Sequence, residues 1–279
     1  MIPLCELPQP IGVYEAVYGV LKSQRYVKGD LAKEFASKWA DKCGMKYGIS
    51  VGSGAQALEL AISSIFVGKS NGITYTSKTF KAVPNAIRRT GHIPIPSEDS
   101  PMIFAHHLHD EVLDYKPRIE DCSHVHGYKP VADTAIFSLF PTKILGACGE
   151  AGVIVTNDKD VFDKCSNLAN HGTPDGTNAR MDEIQAAVLL AKLPYLDEWN
   201  KRRQEIVSMY DRMHMTERPI GGSFHYMYCI DGDQNDVDSL KSMGIESKLV
   251  YDEPYVALPL YPEMTNEQVG EVIKCAMQL

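Results

Sequence analysis

The strongest constraint on this chain is a series of short apolar segments: Gly48–Val51, Ile73–Thr76, Ile93–Ile95, Met102–Ala105, Arg118–Glu120, Ala135–Leu139 and Val153–Thr156. Most are bounded by Gly, Pro, Ser, Asn or Asp, and each is the length of a strand. Helical periodicity over Ala55–Phe66 and Phe80–Arg89 separates the early ones. Strands alternating with helices predict βαβ units, so the expected architecture is α/β with a mostly parallel seven-stranded sheet flanked by helices. Two further helices open the chain, Ile11–Ser23 and Leu31–Cys43, the second with Asp30 placed to cap it. After the strands come helices over Asp160–Ala169 and Arg180–Leu193, a break at Pro194, and a resumed helix over Tyr195–Met213. The remainder is mixed, with a strand over Phe224–Ile230 and helices over Val237–Met243 and Asn266–Met277. A large α/β domain over residues 1–195 and a small α+β domain over 196–279 are therefore expected.

Composition narrows the function. The net charge of −8 and the scattered basic residues give no footprint for nucleic acid, which needs clustered Lys and Arg. No apolar stretch reaches bilayer length, and residues 1–6 lack the basic start and apolar run of a signal peptide, so a soluble protein is expected. Seven widely spaced cysteines without a CxxC pair argue against a disulfide framework or a zinc ribbon and suit a reducing cytoplasm.

Three local features carry chemistry. Gly52-Ser53-Gly54-Ala55-Gln56-Ala57 lies between a strand and a helix, where free N–H groups and the positive helix end can cradle a phosphate. The same letters match GxGxxA, the dinucleotide fingerprint, although the next strand ends in Thr74-Tyr75-Thr76-Ser77 without the acidic residue that fingerprint expects. Asp121 stands at a strand end, where open α/β sheets place ligand-binding side chains; a turn or cap role is its plain alternative. Lys143 follows another strand in an apolar, Gly-rich stretch, and partial desolvation there would lower its pKa and make its amine nucleophilic.

Taken together, Tyr26-Val27-Lys28-Gly29, Ser53 to Leu58, Glu120-Asp121-Cys122-Ser123-His124, Phe137-Ser138 with Thr142-Lys143, His171-Gly172, Asn178-Ala179-Arg180-Met181 with Gln185-Ala186-Ala187, and Leu258 to Pro262 resemble, in order, the DegT/DnrJ/EryC1/StrS family. These are sugar aminotransferases of the fold type I class that use pyridoxal 5′-phosphate (PLP). The resemblance implies that Lys143 holds PLP as a Schiff base and then moves a proton, while Asp121 pairs with the ring nitrogen. It further implies that Phe80 and His124 cover the ring faces, that backbone groups of Gly54, Ala55 and Gln56 with the Ser138 hydroxyl hold the phosphate, and that Asn178 reaches the phosphate of a neighbouring subunit. A homodimer with shared sites follows, acting on a nucleotide-linked keto sugar with an amino acid such as glutamate as donor. Lys143 itself points to amino transfer, because dehydratases of the family carry His there.

The sequence departs from the family pattern in places. Ala55 stands where Thr is usual, the Glu-Gly-Gly turn is Glu150-Ala151-Gly152, the helix that the resemblance implies between His107 and Ile119 shrinks to Asp110–Tyr115, and the segment beyond Met213 is contracted. Three other readings stay open: an NAD-dependent oxidoreductase built on the glycine motif, a PLP-binding regulatory protein without turnover, and a metal site drawn from His106, His107, His109, Cys122, His124 and His126. The expected site contains no metal.

Overall fold

The computed structural model of the chain describes residues 1–66, 68, 71–99, 101–106, 115–212, 226–250 and 253–279. They form two compact units, one running from Gln9 to Pro194 and the other made of Met1–Pro8 with Tyr195–Leu279.

In the first unit helices α1 (Ile11–Ser23) and α2 (Leu31–Cys43) precede β1 (Tyr47–Val51), α3 (Gly54–Ile65), β2 (Gly72–Thr76), α4 (Ala82–Arg89) and β3 (Ile93–Ser97). Strands β4 (Ile103–Ala105), β5 (Ile119–Asp121), β6 (Thr134–Ser138) and β7 (Gly152–Thr156) follow, then α5 (Lys159–Ala169) and α6 (Glu183–Lys192). The seven strands make one sheet in the order β1-β7-β6-β5-β4-β2-β3. Pairing is parallel from β6 through β5, β4 and β2 to β3, whereas β7 runs antiparallel to both β6 and β1. Because β7 reverses twice, β1 points the same way as β6. The last residues of β1, β5 and β6 therefore emerge at one edge of the sheet, the edge at which open α/β sheets carry their ligands.

Burial explains why the strands read as continuous apolar runs. Ala135, Ile136, Phe137, Val153, Ile154 and Val155 are all closed off from solvent, as expected for central strands covered on both faces. One face packs Ile119, Ile136 and Ile154 against Leu58, Ala61 and Ile62 of α3. On the opposite face Trp39 of α2 meets Phe137 edge-on at 5.2 Å. Each such side chain stabilises the fold by roughly 1.5–3 kcal/mol.

Two helix starts differ from the sequence expectation for tertiary reasons. Asp30 makes no side-chain cap to α2. Instead Glu183, buried at the start of α6, accepts from the backbone N–H of Gly29 at 3.1 Å and of Leu31 at 2.9 Å. A Cβ on Gly29 would lie 2.5 Å from that carboxylate, so only glycine allows the approach. Helix α6 begins at Glu183 rather than Arg180, because Arg180 pairs with Val51 and Asp182 caps Gln185 at 2.9 Å. The break at Pro194 appears as a 3-10 turn over Leu193–Tyr195.

The second unit holds α7 (Leu196–Asp211), β8 (Tyr228–Asp231), α8 (Gln234–Ser242), β9 (Lys248–Val250), β10 (Glu253–Leu258) and α9 (Asn266–Ala276). Its sheet is antiparallel in the order β8-β10-β9. The chain's first residues belong here, with Ile2 bridging Ile245 and the Leu4 N–H bonded to Glu246 at 3.1 Å. Strands β9 and β10 have no counterpart in the sequence reading. The expected helix at 110–115 lies almost wholly outside the described residues, as does the start of the expected Phe224–Ile230 strand. No helix among the described residues is long and apolar enough to cross a membrane, and all seven cysteines are free thiols.

Candidate active site

Four of the sequence-selected residues come together at the shared strand edge. Ser53 caps α3, its hydroxyl accepting from the Gln56 N–H at 3.2 Å. That bond occupies the Gln56 N–H, so the donors this turn leaves for an anion are the N–H groups of Gly54 and Ala55, which precede the helix's own bonding pattern. Gly54 packs directly on Ser138, since a Cβ built on it would lie 2.6 Å from the Ser138 Cβ. Gly152 in turn leaves room for the Ser53 carbonyl group, which its Cβ would meet at 2.5 Å. The altered Glu150-Ala151-Gly152 turn thus keeps glycine at the position where backbone meets backbone.

Asp121 ends β5 beside this cradle. The Ser123 hydroxyl donates to Asp121 Oδ1 at 2.6 Å, and the Ser123 N–H donates to the same oxygen at 3.0 Å. The Ser123 hydroxyl also accepts from the Ser138 N–H at 3.0 Å. One serine therefore links the carboxylate of β5 to the end of β6. Burial raises the Asp121 pKa above its ordinary value, while the Ser123 bonds and then the charges of Lys143 and His106 oppose the rise. Half-buried Lys143 stands in the loop between β6 and β7, its N–H bonded to the Phe140 carbonyl at 2.8 Å. The sequence shows Ser123 within the Glu120–His124 motif without a role, although its place two residues after a strand-end Asp is the signal of an Asx turn.

The remaining candidates are spread more widely. His124 is buried. Phe80 is 44% exposed ahead of α4, and exposed Asn178 bridges Asn170; neither belongs to the hydrogen-bonded group around Asp121. The histidine cluster is not a six-residue convergence. His106 Nε2 lies 2.8 Å from Glu120 within the core, His126 bonds Ser138 and Leu145, and His107 and His109 lie outside the described residues. What does gather is His106, Glu120 and Cys122, with ligand-type atoms within 4.8 Å of one another. A separate cavity of about 690 Å³ runs along the free edge of β1 and is lined by Lys28, Lys46, Phe162 and Arg180, but by none of Asp121, Ser138 or Lys143.

The dinucleotide reading loses its geometry at this point. A Rossmann fingerprint follows a central strand flanked by parallel neighbours, whereas β1 is an edge strand paired antiparallel with β7. A turn with open N–H donors, a half-buried carboxylate and a lysine, each following a strand of one edge, suit a different cofactor.

Comparison with known proteins agrees. The profile of the DegT/DnrJ/EryC1/StrS aminotransferase family matches residues 13–107 and 117–271. The chain belongs to that family. Its relatives include a protein named pleiotropic regulatory protein from Geobacillus stearothermophilus, 28% identical across 93% of this chain and 85% of the relative. A dTDP-3-amino-3,6-dideoxy-alpha-D-galactopyranose transaminase from Aneurinibacillus thermoaerophilus is 32% identical across 75% of this chain and 71% of the relative. Among solved structures, DesV of S. venezuelae in complex with a ketimine intermediate shares the fold at a TM-score of 0.84 and 24% identity, covering 95% of this chain and 93% of DesV. NtdA of Bacillus subtilis with bound PMP gives 0.82 at 18% identity, covering 96% and 81%. This member of the family is an aminotransferase, and the cofactor that accompanies membership is PLP.

The residues present fit that group. The Gly54–Ser138 approach leaves backbone donors open toward an anion, and Asp121, on the strand beside β6, is an acceptor that a protonated ring nitrogen can face.

Proposed function

We propose that this protein transfers an amino group from an amino acid, with glutamate as donor, to a nucleotide-linked keto sugar, using Lys143 and Asp121 as its catalytic residues. The observation that carries this reading is the Asp121–Ser123–Ser138 chain of hydrogen bonds, with the Lys143 charge felt at Asp121 and Gly54 packed on Ser138. In this reading an anion, an amine and a phosphate cradle surround one small volume. Bound there, PLP supplies the electron sink for bond cleavage at the amino carbon. Gly54, Ala55 and Ser138 hold its phosphate, Asp121 keeps the ring nitrogen protonated, His124 and Phe80 lie over the ring, and the Lys143 amine takes and returns the proton that moves during transfer. The nucleotide-sugar class is supported by the A. thermoaerophilus relative, whose name specifies a dTDP-linked amino sugar.

A second copy completes the site in this proposal, with Asn178 as the residue it contributes. Helix α1 buries Val13 and Val20 but leaves Ile11, Tyr14, Tyr18 and Leu21 exposed at helical spacing, one continuous apolar stripe, and exposed Tyr26 and Val27 follow it. The Nε and Nη1 atoms of Arg180, two residues beyond Asn178, have no acceptor among the described residues. Charging the stripe with Tyr14→Glu and Tyr18→Glu together is expected to weaken dimerisation by about a hundredfold, roughly the loss of two modest interface contacts. Sedimentation across a concentration series reads that shift, and unchanged association would remove the stripe from the interface. We place the protein in the cytoplasm, consistent with its seven free thiols.

The direct test uses PLP-loaded protein and glutamate. The visible absorption of the bound cofactor near about 400 nm should give way to the near-ultraviolet band of the pyridoxamine phosphate form. A regulatory reading is favoured by one relative, the protein named pleiotropic regulatory protein. It predicts that PLP binds and that glutamate leaves the spectrum unchanged.

A further inference from the structure

The proposal for Lys143 leaves unstated what holds its loop in place. We propose that His126 is the positioning residue for Lys143, an imidazole clamp that fastens both sides of the lysine's loop to the end of β6; this rests on the reading of Lys143 above.

His126 is fully buried, and both of its ring nitrogens are engaged. The Leu145 N–H donates to Nδ1 at 3.0 Å, and Nε2 lies 3.0 Å from the Ser138 carbonyl oxygen. An N–H can only donate and a carbonyl oxygen can only accept, so Nδ1 is the bare nitrogen and Nε2 carries the proton. The bond pattern thus fixes a neutral ring in a single tautomer. Trp39 meets the ring edge-on at 5.3 Å, and Phe137 packs against it at 6.0 Å, which holds its plane.

The two partners of His126 lie on either side of Lys143 in the chain. Other bonds stay within the loop or tie its far end: Lys143 N–H to Phe140 O at 2.8 Å, Ala147 N–H to Leu139 O at 2.8 Å, and the Lys192 ammonium to Gly146 O at 2.9 Å. His126 alone among these joins Ser138 to Leu145. Ser138 is also the residue whose N–H reaches Asp121 through Ser123. The clamp therefore sets the lysine's loop against the same strand end that orients the carboxylate. A displacement of 1 Å at a reacting group costs about a hundredfold in rate, so a bond of this kind acts on turnover more than on affinity.

The test uses the PLP-loaded protein with glutamate and the cofactor-free protein for amide exchange. His126→Ala is expected to lower kcat of the glutamate half-reaction by about 30- to 100-fold with KM changed by less than about twofold. His126→Asn, whose amide oxygen can accept the Leu145 N–H near the place of Nδ1, should restore most of that loss. A purely structural role would give no such rescue. In cofactor-free His126→Ala the Leu145 amide should exchange faster, while Ile136 and Val153 in the sheet stay protected. The proposal is overturned if kcat of His126→Ala stays within about twofold of the parent, or if Leu145 exchange does not change. Should His126→Ala fail to fold, nitrogen NMR of the parent protein decides: a proton on Nδ1 overturns the clamp, and a proton on Nε2 supports it. Lys143→Ala separates the two readings. Retention of the visible PLP band in that variant sinks the assignment of Lys143, whereas loss of the band beside an unaffected His126→Ala sinks the clamp alone.

Discussion

Replacing Lys143 with alanine is expected to abolish the visible absorption of the PLP-loaded protein and to lower amino transfer by about 10⁴-fold or more, the upper end of what one proton-transferring group contributes. The size of the effect follows from two losses at once. The amine is the only nucleophile proposed to tether the cofactor, and it is also the group proposed to carry the proton between carbon atoms. Lys143→Arg makes the point sharper. Arginine retains the positive charge that Asp121 senses, yet its guanidinium does not deprotonate and so can serve neither role. Arginine and alanine variants should therefore be equally inactive while differing in their effect on Asp121. Spectra and single-turnover rates measure the first statement; an arginine variant with more than a few per cent of parental activity would contradict it. PLP should still associate with both variants through the Gly54 and Ser138 cradle, so loss of the band must be read together with retained phosphate-dependent binding.

The parts of this site that could be read in the sequence are those whose chemistry is local. Asp121 and Ser138 end short buried strands, and Gly54 starts a helix after a strand, so position in the alternating pattern alone brings all three to one sheet edge. Lys143 was selected by its apolar neighbourhood and by its place in the motif order. Ser123 and His126 were legible only as letters. Their roles depend on which strand lies beside β5, and the register of Asp121 against Ile136 cannot be had from spacing. Reading His126 as a possible metal ligand followed from its chemistry; the structure instead uses both nitrogens to fasten backbone.

The same division runs through the fold. Central strands β6 and β7 carry the continuous apolar runs Ala135–Phe137 and Val153–Val155, which read as buried strands without their neighbours. Strand β10 carries Pro254 and an irregular register against β9, whose first two residues are exposed, so neither alternation nor a continuous apolar run marks them. Helix α6 starts three residues later than its periodicity predicts because Arg180 is recruited to the edge of β1, a pairing with a residue 129 positions earlier in the chain. Such long-range pairings override local helical preference.

Asp121→Asn tests the other half of the proposed catalytic pair and should separate stability from function. Amino transfer is expected to fall on the order of 10²- to 10³-fold, as when one preorganised charge is removed from a buried site. The cofactor-free protein, by contrast, should become more stable at neutral pH. Burial is the largest influence on Asp121 and raises its pKa, with the Ser123 bonds and the Lys143 charge offsetting only part of the rise. A carboxyl whose folded pKa exceeds its unfolded value favours the folded state fully below the unfolded pKa, and that advantage disappears as pH rises through the folded pKa. At pH 7 the carboxyl group therefore occupies the cofactor-free site at a cost, and the neutral amide avoids it while its oxygen can still accept both Ser123 bonds. A gain of about 1 kcal/mol would raise Tm by roughly 2–4 °C in a domain of this size. The gain should shrink as pH falls below the folded pKa, because the parent carboxyl is then neutral as well. It should also shrink when PLP is bound, since a protonated ring nitrogen gives the carboxylate the cation it lacks. Thermal melts of both proteins, with and without PLP, between acidic and neutral pH measure all of this. An asparagine variant that is less stable than the parent at pH 7 without PLP would show that the cofactor-free site already compensates the Asp121 charge.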